Sequence, residues 1–176
     1  MYKILDINYD KDQLLELFRT SEKDISKKNF VESAGDLINN TEIARLLELY
    51  PFISVAPSSI GLVRLMKDVR PYINEGNNGM IIFPIYGKLD FRFYSYEAPV
   101  VNGRPSLSPE KDAVSDELKT QIETMLSDTI IIDKPTIING LIPHSYHIHN
   151  NQNPLFLVFK IPLDVSWEAV TSATGA

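Results

Sequence analysis

The stretch Met80 to Tyr86, MIIFPIY, constrains this chain more than any other. It carries no charged residue, and its isoleucines and aromatics are strong strand formers. A strand apolar at odd and even positions alike has no wet face, so both of its sides are expected to be buried. Pro84 donates no ladder hydrogen bond, which predicts a bulge or local break at that point. Leu89 to Tyr96 (LDFRFYSY) then alternates, with Leu89, Phe91, Phe93 and Ser95 on one side. The link Tyr86–Gly87–Lys88 predicts a hairpin joining the two strands.

Other short strands are expected over residues 2–7, Phe52 to Ala56, Ile60 to Lys67, Thr129 to Ile132, Thr136 to Ile138 and Leu155 to Ile161. Helices interrupt them. Lys11 to Arg19 follows Asp10 as a cap, and a second helix starts at Asn40 or Thr41 and presents Ile43, Leu46 and Leu47 on one face before Pro51 ends it. A third is expected near 109–126, with Ser108 as cap, Pro109 as first residue, and a stripe of Val114, Leu118, Ile122, Met125 and Leu126. Thr20 to Asn29 and Ala98 to Ser108 are expected to be loops. Residues 171–176 are expected to be a frayed tail behind one domain spanning 1–170. No βαβ alternation occurs, so a doubly wound parallel sheet is not expected. Short strands with Gly/Pro turns indicate a mainly β sandwich or jelly roll with flanking helices.

The formal net charge of −6 argues against non-specific binding to nucleic acid or an anionic membrane. With no cysteine, disulfides, thiolate nucleophiles and Cys-based metal sites are excluded, and a reducing, cytoplasmic setting is consistent. No apolar run approaches the roughly 20 residues of a membrane span, and MYKILDINYDKD lacks the basic start and apolar centre of a signal peptide.

Chemistry, if present, is expected between Pro135 and Lys160. That stretch holds all three histidines of the chain, His144, His147 and His149. His147 and His149 have the i, i+2 spacing that can grip a metal from one strand face, whereas His144 has the opposite parity unless a bulge intervenes. The plainer reading is three histidines at a wet strand edge. No Gly-rich phosphate loop, zinc helix or serine elbow is present.

The segments VRLMKDVRPYINEGNNGMIIFPIYG and PTIINGLIPHSYHIHNNQNPLFLVFKI resemble the core of the cupin-like, double-stranded β-helix proteins of the iron(II)/2-oxoglutarate oxygenase superfamily. The likeness is to short versions common in phages and marine microbes. Ile81 to Ile85 matches their buried strand. Pro135, Asn139, Pro143, His144 and Ser145 match the block Pro-x-x-x-Asn-x-x-x-Pro-His-Ser. The resemblance implies a double-stranded β-helix over roughly residues 50–162. It also implies iron held by two histidines and a carboxylate, with an arginine for the cosubstrate's far carboxylate. His144 matches the second histidine. The His-x-Asp-Gly position falls on Tyr72 to Gly76, so Glu75 takes the carboxylate place and Ile73 that of the first histidine; in the alternative frame the pair is Tyr72 and Asn74. Leu155 or Pro154 stands where the arginine belongs. Lys160 lies on the same strand but with the wrong parity to replace Leu155.

Three functional readings follow. In the first, the chain is a non-catalytic binding or structural module of this fold, without a cofactor, serving an unidentified protein partner or small ligand and virion-associated if phage-derived. In the second, it is an iron(II)/2-oxoglutarate hydroxylase with an altered ligand set of His144, Glu75 and one further group. The third builds a local metal site from His147 and His149.

Overall fold

A computed structural model describes residues 1–21, 37–53, 59–107 and 115–174. Its strands are β1 (Tyr2–Ile4), β2 (Ile60–Arg64), β3 (Val69–Tyr72), β4 (Gly79–Tyr86), β5 (Leu89–Tyr94), β6 (Val100–Val101), β7 (Arg104–Pro105), β8 (Leu126–Ile132), β9 (Thr136–Asn139), β10 (His144–Ile148) and β11 (Leu155–Ile161). Its helices are α1 (Lys11–Ser21), α2 (Thr41–Glu48), α3 (Asp116–Glu123) and α4 (Trp167–Ala173).

The inner sheet has the order β1-β9-β4-β11-β2 and the outer sheet the order β3-β10-β5-β8; β6 and β7 form a separate ribbon. All paired strands are antiparallel. From β2 to β5 the chain changes sheet at every step, β8 stays beside β5, and alternation resumes from β9 to β11. Eight strands wound this way form a jelly roll, the double-stranded β-helix. β1 adds a fifth strand beside β9.

Three apolar cores follow from strand parity. On β11, Leu155, Leu157, Phe159 and Ile161 point to the helical side, where Leu14 and Phe18 of α1, Ile43 and Leu46 of α2 and Val170 of α4 cover the inner sheet. Phe156 and Val158 point the other way, between the sheets, and meet Phe91, Phe93 and Tyr146. Beyond the outer sheet, Ile73, Tyr94 and Leu107 pack on Ile122 of α3. β4 is central to this order. Ile81, Phe83 and Ile85 join the helical core, while Met80 and Ile82 join the sandwich interior. The apolar run MIIFPIY therefore has no wet face before Tyr86.

The helices start where side chains can replace missing backbone partners. The Asp10 carboxylate accepts from Gln13 N at 2.9 Å, and Asn40 Oδ1 accepts from Glu42 N and Ile43 N. Glu42 is buried and holds three donors: Asp10 N at 3.0 Å, Arg45 Nε at 2.9 Å and Arg45 Nη2 at 2.7 Å. This ties the N-terminal segment to α2. Arg45 lies first among the causes that hold the Glu42 carboxyl below its ordinary value.

Several expectations change. Tyr86 to Lys88 is not a hairpin turn, because β4 and β5 lie in different sheets; Gly87, at φ +69°, carries the chain across. The expected break at Pro84 does occur: register slips where Leu155 faces Tyr86 and Phe156 faces Pro84. β3 was not anticipated. The described part of the third helix is shorter than expected and is capped by Ser115, whose Oγ accepts from Leu118 N. Leu126, expected on its stripe, opens β8. Ser108, Pro109 and Val114 lie outside the described residues, as do residues 54–56 of the strand expected from Phe52 and residues 22–29 of the Lys-rich loop. Phe52 and Ile53 themselves sit in a turn. Thr171 to Ala173 are helical rather than frayed. Among the described residues no helix is long and apolar enough to cross a membrane.

Candidate functional site

The sandwich opens into a cavity of about 340 Å³ at the end of the two sheets that carries Tyr72, Asn74 and Asn77. Its walls come from β2, β3, β4, β10 and β11, chiefly Val63, Leu65, Met80, Phe156 and Val158. Strand parity explains Lys160. It shares the inward face of β11 with Phe156 and Val158 and lines the cavity, whereas Leu155 faces the helices. Of the two positions aligned with the family's arginine, Leu155 thus points away from the interior, and Lys160, of opposite parity to it, points inward.

The polar end of the cavity is the loop between β3 and β4. Asn74 N donates to Gly140 O at 2.9 Å, and Gly140 N donates to Asn78 O at 3.0 Å. Asn78 Nδ2 donates to Leu163 O and Val165 O, both at 2.8 Å, and Arg104 Nη2 reaches Asn78 Oδ1 at 2.8 Å. Gly140 is required here, since a Cβ on it would lie 2.9 Å from Asn74 Cβ. Within this loop, Asn74 Nδ2 and Asn77 Oδ1 are each almost wholly enclosed and have no hydrogen-bond partner. Arg104 Nε, beside them, is also buried and unpartnered.

Deeper in, His144 is fully enclosed, at 0% exposure. Its ring stacks on Phe91 at 4.9 Å and meets the edge of Tyr72 at 4.5 Å. Nδ1–H donates to Ile142 O at 2.6 Å, which fixes the tautomer and leaves Nε2 as a bare acceptor with no partner. Burial lowers its pKa from 6.5 to about 4, against a small opposing effect of the Ile142 carbonyl. The Tyr72 hydroxyl donates to the Tyr146 hydroxyl, which donates to Met80 Sδ at 3.2 Å. Burial comes first among the causes that hold both phenols well above their ordinary value.

The other candidate ligands are elsewhere. Glu75 is exposed and accepts from the Ser106 hydroxyl. His147 and His149 lie outside the sandwich interior. His149 Nδ1 donates to Asp90 Oδ1 at 2.7 Å. His147 Nδ1 donates to Asp68 Oδ2 at 3.1 Å, and His147 Nε2 lies 2.8 Å from Ser145 Oγ, which is itself 2.7 Å from the Tyr94 hydroxyl. Burial raises the Asp68 carboxyl, but the Ile148 N–H and the His147 imidazole outweigh it and hold it below its ordinary value. Asp68, His147 and Ser145 stand in the order of a nucleophile relay. Ser145 is nevertheless 0% exposed, so no substrate atom reaches its Oγ. The chain of bonds satisfies a buried hydroxyl under the third core.

The iron of the resembled family does not fit these side chains. Among the described residues no three of His, Asp and Glu converge on a point that would hold a metal. Where the family's first ligands stand, Tyr72 is engaged with Tyr146 and Ile73 points into the third core. His144 offers one nitrogen, but its neighbours are aromatic rings. Of the cavity-lining asparagines, Asn74 entered the sequence reading only in the alternative metal frame with Tyr72, and Asn77 lies one residue beyond that motif. The clue available was the clustering of Asn74, Asn77 and Asn78 in a short loop before a buried strand.

The strand order and the interior cavity define a cupin-like β-sandwich. No protein-family model and no curated protein matches the chain. Among solved structures, similarity is found to a hydroquinone 1,2-dioxygenase in complex with Cd2+ and 4-hydroxybenzonitrile, at 8% identity and a TM-score of 0.39 over 60% of this chain and 58% of that one. L-ribose isomerase from Acinetobacter sp. DL28, in complex with L-ribose, matches at 14% identity and a TM-score of 0.37 over 62% of this chain and 50% of that one. The enzyme from Cellulomonas parahominis matches at 12% identity and a TM-score of 0.37 over 56% and 46%. The chain thus spans about half the length of these structures, and the fold assignment rests on its own strand order.

Proposed function

We propose that the chain is a non-catalytic member of the double-stranded β-helix fold that binds a small molecule in the mouth between its sheets. The observation that carries this reading is the cavity of about 340 Å³ between the sheets, with apolar walls from Val63, Leu65, Met80, Phe156 and Val158 and with Tyr72, Asn74, Asn77 and Lys160 as its polar lining residues. A cavity with apolar walls and a few convergent polar groups is the usual form of a ligand site. The alternative, an iron(II)/2-oxoglutarate hydroxylase centred on His144, is favoured by one observation, the unpartnered Nε2.

Two experiments on the full chain test this. Indole, titrated into protein with labelled methyl groups, is expected to shift the Val63, Leu65, Met80 and Val158 resonances, and Val158→Phe, which fills the cavity, is expected to abolish the effect. Unmoved resonances in the unsubstituted protein overturn the pocket reading. Anaerobic addition of iron(II) and 2-oxoglutarate is expected to yield no charge-transfer band and, with oxygen, no succinate. Both signals together overturn the non-catalytic reading in favour of the hydroxylase.

A further inference from the structure

We infer that a second cavity, on the helical side of the inner sheet, binds a small phosphate monoester carried on a single flat ring. This goes beyond the reading above, because the site lies on the opposite face of the inner sheet from the cavity between the sheets. It has a volume of about 250 Å³ and is lined by Leu15, Phe18 and Arg19 of α1 and by Arg64, Tyr86 and Leu155 of the sheet.

Strand register assembles the sheet side of this site. Leu155 of β11 is paired with Arg64 of β2 on one side and with Tyr86 of β4 on the other. Adjacent strands lie about 4.8 Å apart, so Arg64 and Tyr86 stand about 10 Å apart at the backbone with Leu155 between them. Arg64 shares the helical face of β2 with Ile60 and Leu62. Tyr86 has the parity of Met80 and Ile82, which point between the sheets; the slip at Pro84 sets it opposite Leu155 instead, on the helical side. On α1, Leu15, Phe18 and Arg19 have the i, i+3, i+4 spacing of one helix face, and Arg19 brings a second guanidinium to the same cavity.

The chemistry of the lining names the ligand class. Among the described residues that line the cavity two are arginines and none is acidic, which makes it a positive site on a chain of net charge −6. Arginine forks onto phosphate with two parallel hydrogen bonds. A phosphate monoester carries close to two negative charges at neutral pH, one for each guanidinium. Arg19 pairs with Glu16 at 3.6 Å, but the two side chains are 64% and 67% exposed, so water weakens that pair and a dianion displaces it. Leu15, Phe18 and Leu155 give the cavity an apolar floor, and the Tyr86 ring, 55% exposed, offers a flat face to a second ring. Sites for drug-sized molecules span about 300–1,000 Å³, so this smaller one suits a single ring.

The test compares phenyl phosphate, benzoate and inorganic phosphate by calorimetric titration of the full chain at about pH 7.5, where the phosphates are mostly dianions. Phenyl phosphate is expected to bind about ten-fold or more tightly than either of the others, because benzoate carries one charge and inorganic phosphate has no ring. In Arg19→Gln and in Arg64→Gln, each checked for folding by circular dichroism, its binding is expected to weaken about five-fold or more. Excess indole, the probe of the other cavity, is expected to leave it unchanged. Absence of phenyl phosphate binding, or binding that either substitution leaves unchanged, overturns the inference. Equal binding of benzoate or of inorganic phosphate overturns the ligand class. Displacement by indole puts the phosphate between the sheets and overturns the site. None of these outcomes touches the first cavity, whose methyl shifts with indole test it separately.

Discussion

Mild acid should destabilise this protein through one side chain, His144. Its imidazole is enclosed by Phe91, Tyr72 and Tyr146, and burial lowers its pKa from 6.5 to about 4. In the unfolded chain the same group takes up its proton near 6.5. Between those values the unfolded state binds more protons than the folded one, so stability rises with pH across that window and falls as pH drops through it. The stability is fully present above about pH 7, and by pH 5 the linkage costs about 2 kcal/mol, reaching about 3 kcal/mol by pH 4. His144→Phe keeps an aromatic ring in the same packing and removes the titration. At pH 7 the variant is expected to lose about 1 kcal/mol, since Ile142 O loses its donor. Urea unfolding of both proteins at pH 7, 6 and 5 isolates the effect, because titrations common to both cancel in the difference. That difference should move in favour of the variant by about 2 kcal/mol between pH 7 and pH 5. A difference that stays flat to within about 0.5 kcal/mol, or moves the other way, refutes the assignment of His144 as a buried neutral imidazole.

Other substitutions test the framework of the site. Gly79→Ala places a Cβ 2.3 Å from the backbone oxygen of Ile138, which no rotamer can relieve, and is expected to cost about 2–3 kcal/mol in urea unfolding. Gly76→Ala meets nothing within 4 Å and is expected to be neutral or slightly stabilising; equal losses at the two positions would show that the close approach at Gly79 is not the cause. Asn40→Ala removes the acceptor for Glu42 N and Ile43 N and should lower stability by about 1 kcal/mol, visible as a lower thermal midpoint with unchanged β-sheet circular dichroism. Tyr72→Phe deletes the bond to Tyr146 and should cost about 1 kcal/mol in the same unfolding assay; a loss above about 3 kcal/mol would mean that the phenol supports more than this one contact.

Much of the fold was legible because parity is a local property. MIIFPIY announced a doubly buried strand, Leu89, Phe91 and Phe93 announced an inward face, and Lys160 was separated from Leu155 by parity alone. What parity cannot show is which sheet a strand enters. Gly87 marked a sharp link correctly, but a hairpin and a crossing between sheets use the same local chemistry. β3 escaped notice because VRPY has four residues, one of them proline, and no alternation. The site was harder still. His147 meets Asp68 across 79 positions and His149 meets Asp90 across 59, so no short motif contains either pair. Parity already set His144 apart from His147 and His149, although all three lie close together in the chain. In space they divide between the enclosed interior and the opposite face of the outer sheet. Asn74 and Asn77 line the cavity, but one sits within and the other just past the segment aligned to a metal motif.

The double burial of β4 also bears on how the chain is made. Its neighbours in the inner sheet are β9 and β11, and β2 pairs with β11 as well, for example Ile60 with Phe159. The inner sheet therefore cannot close until the last strand has been synthesised. At about 5–20 residues per second, β4 waits roughly 4–15 s for β11. Until β9 is made MIIFPIY has neither of its partners, and until β11 follows one edge stays open, the kind of segment that seeds aggregation. Pro84 lies near its middle, where it blocks a continuous ladder with another nascent chain. The residue that bends the finished sheet thus also guards the unfinished one.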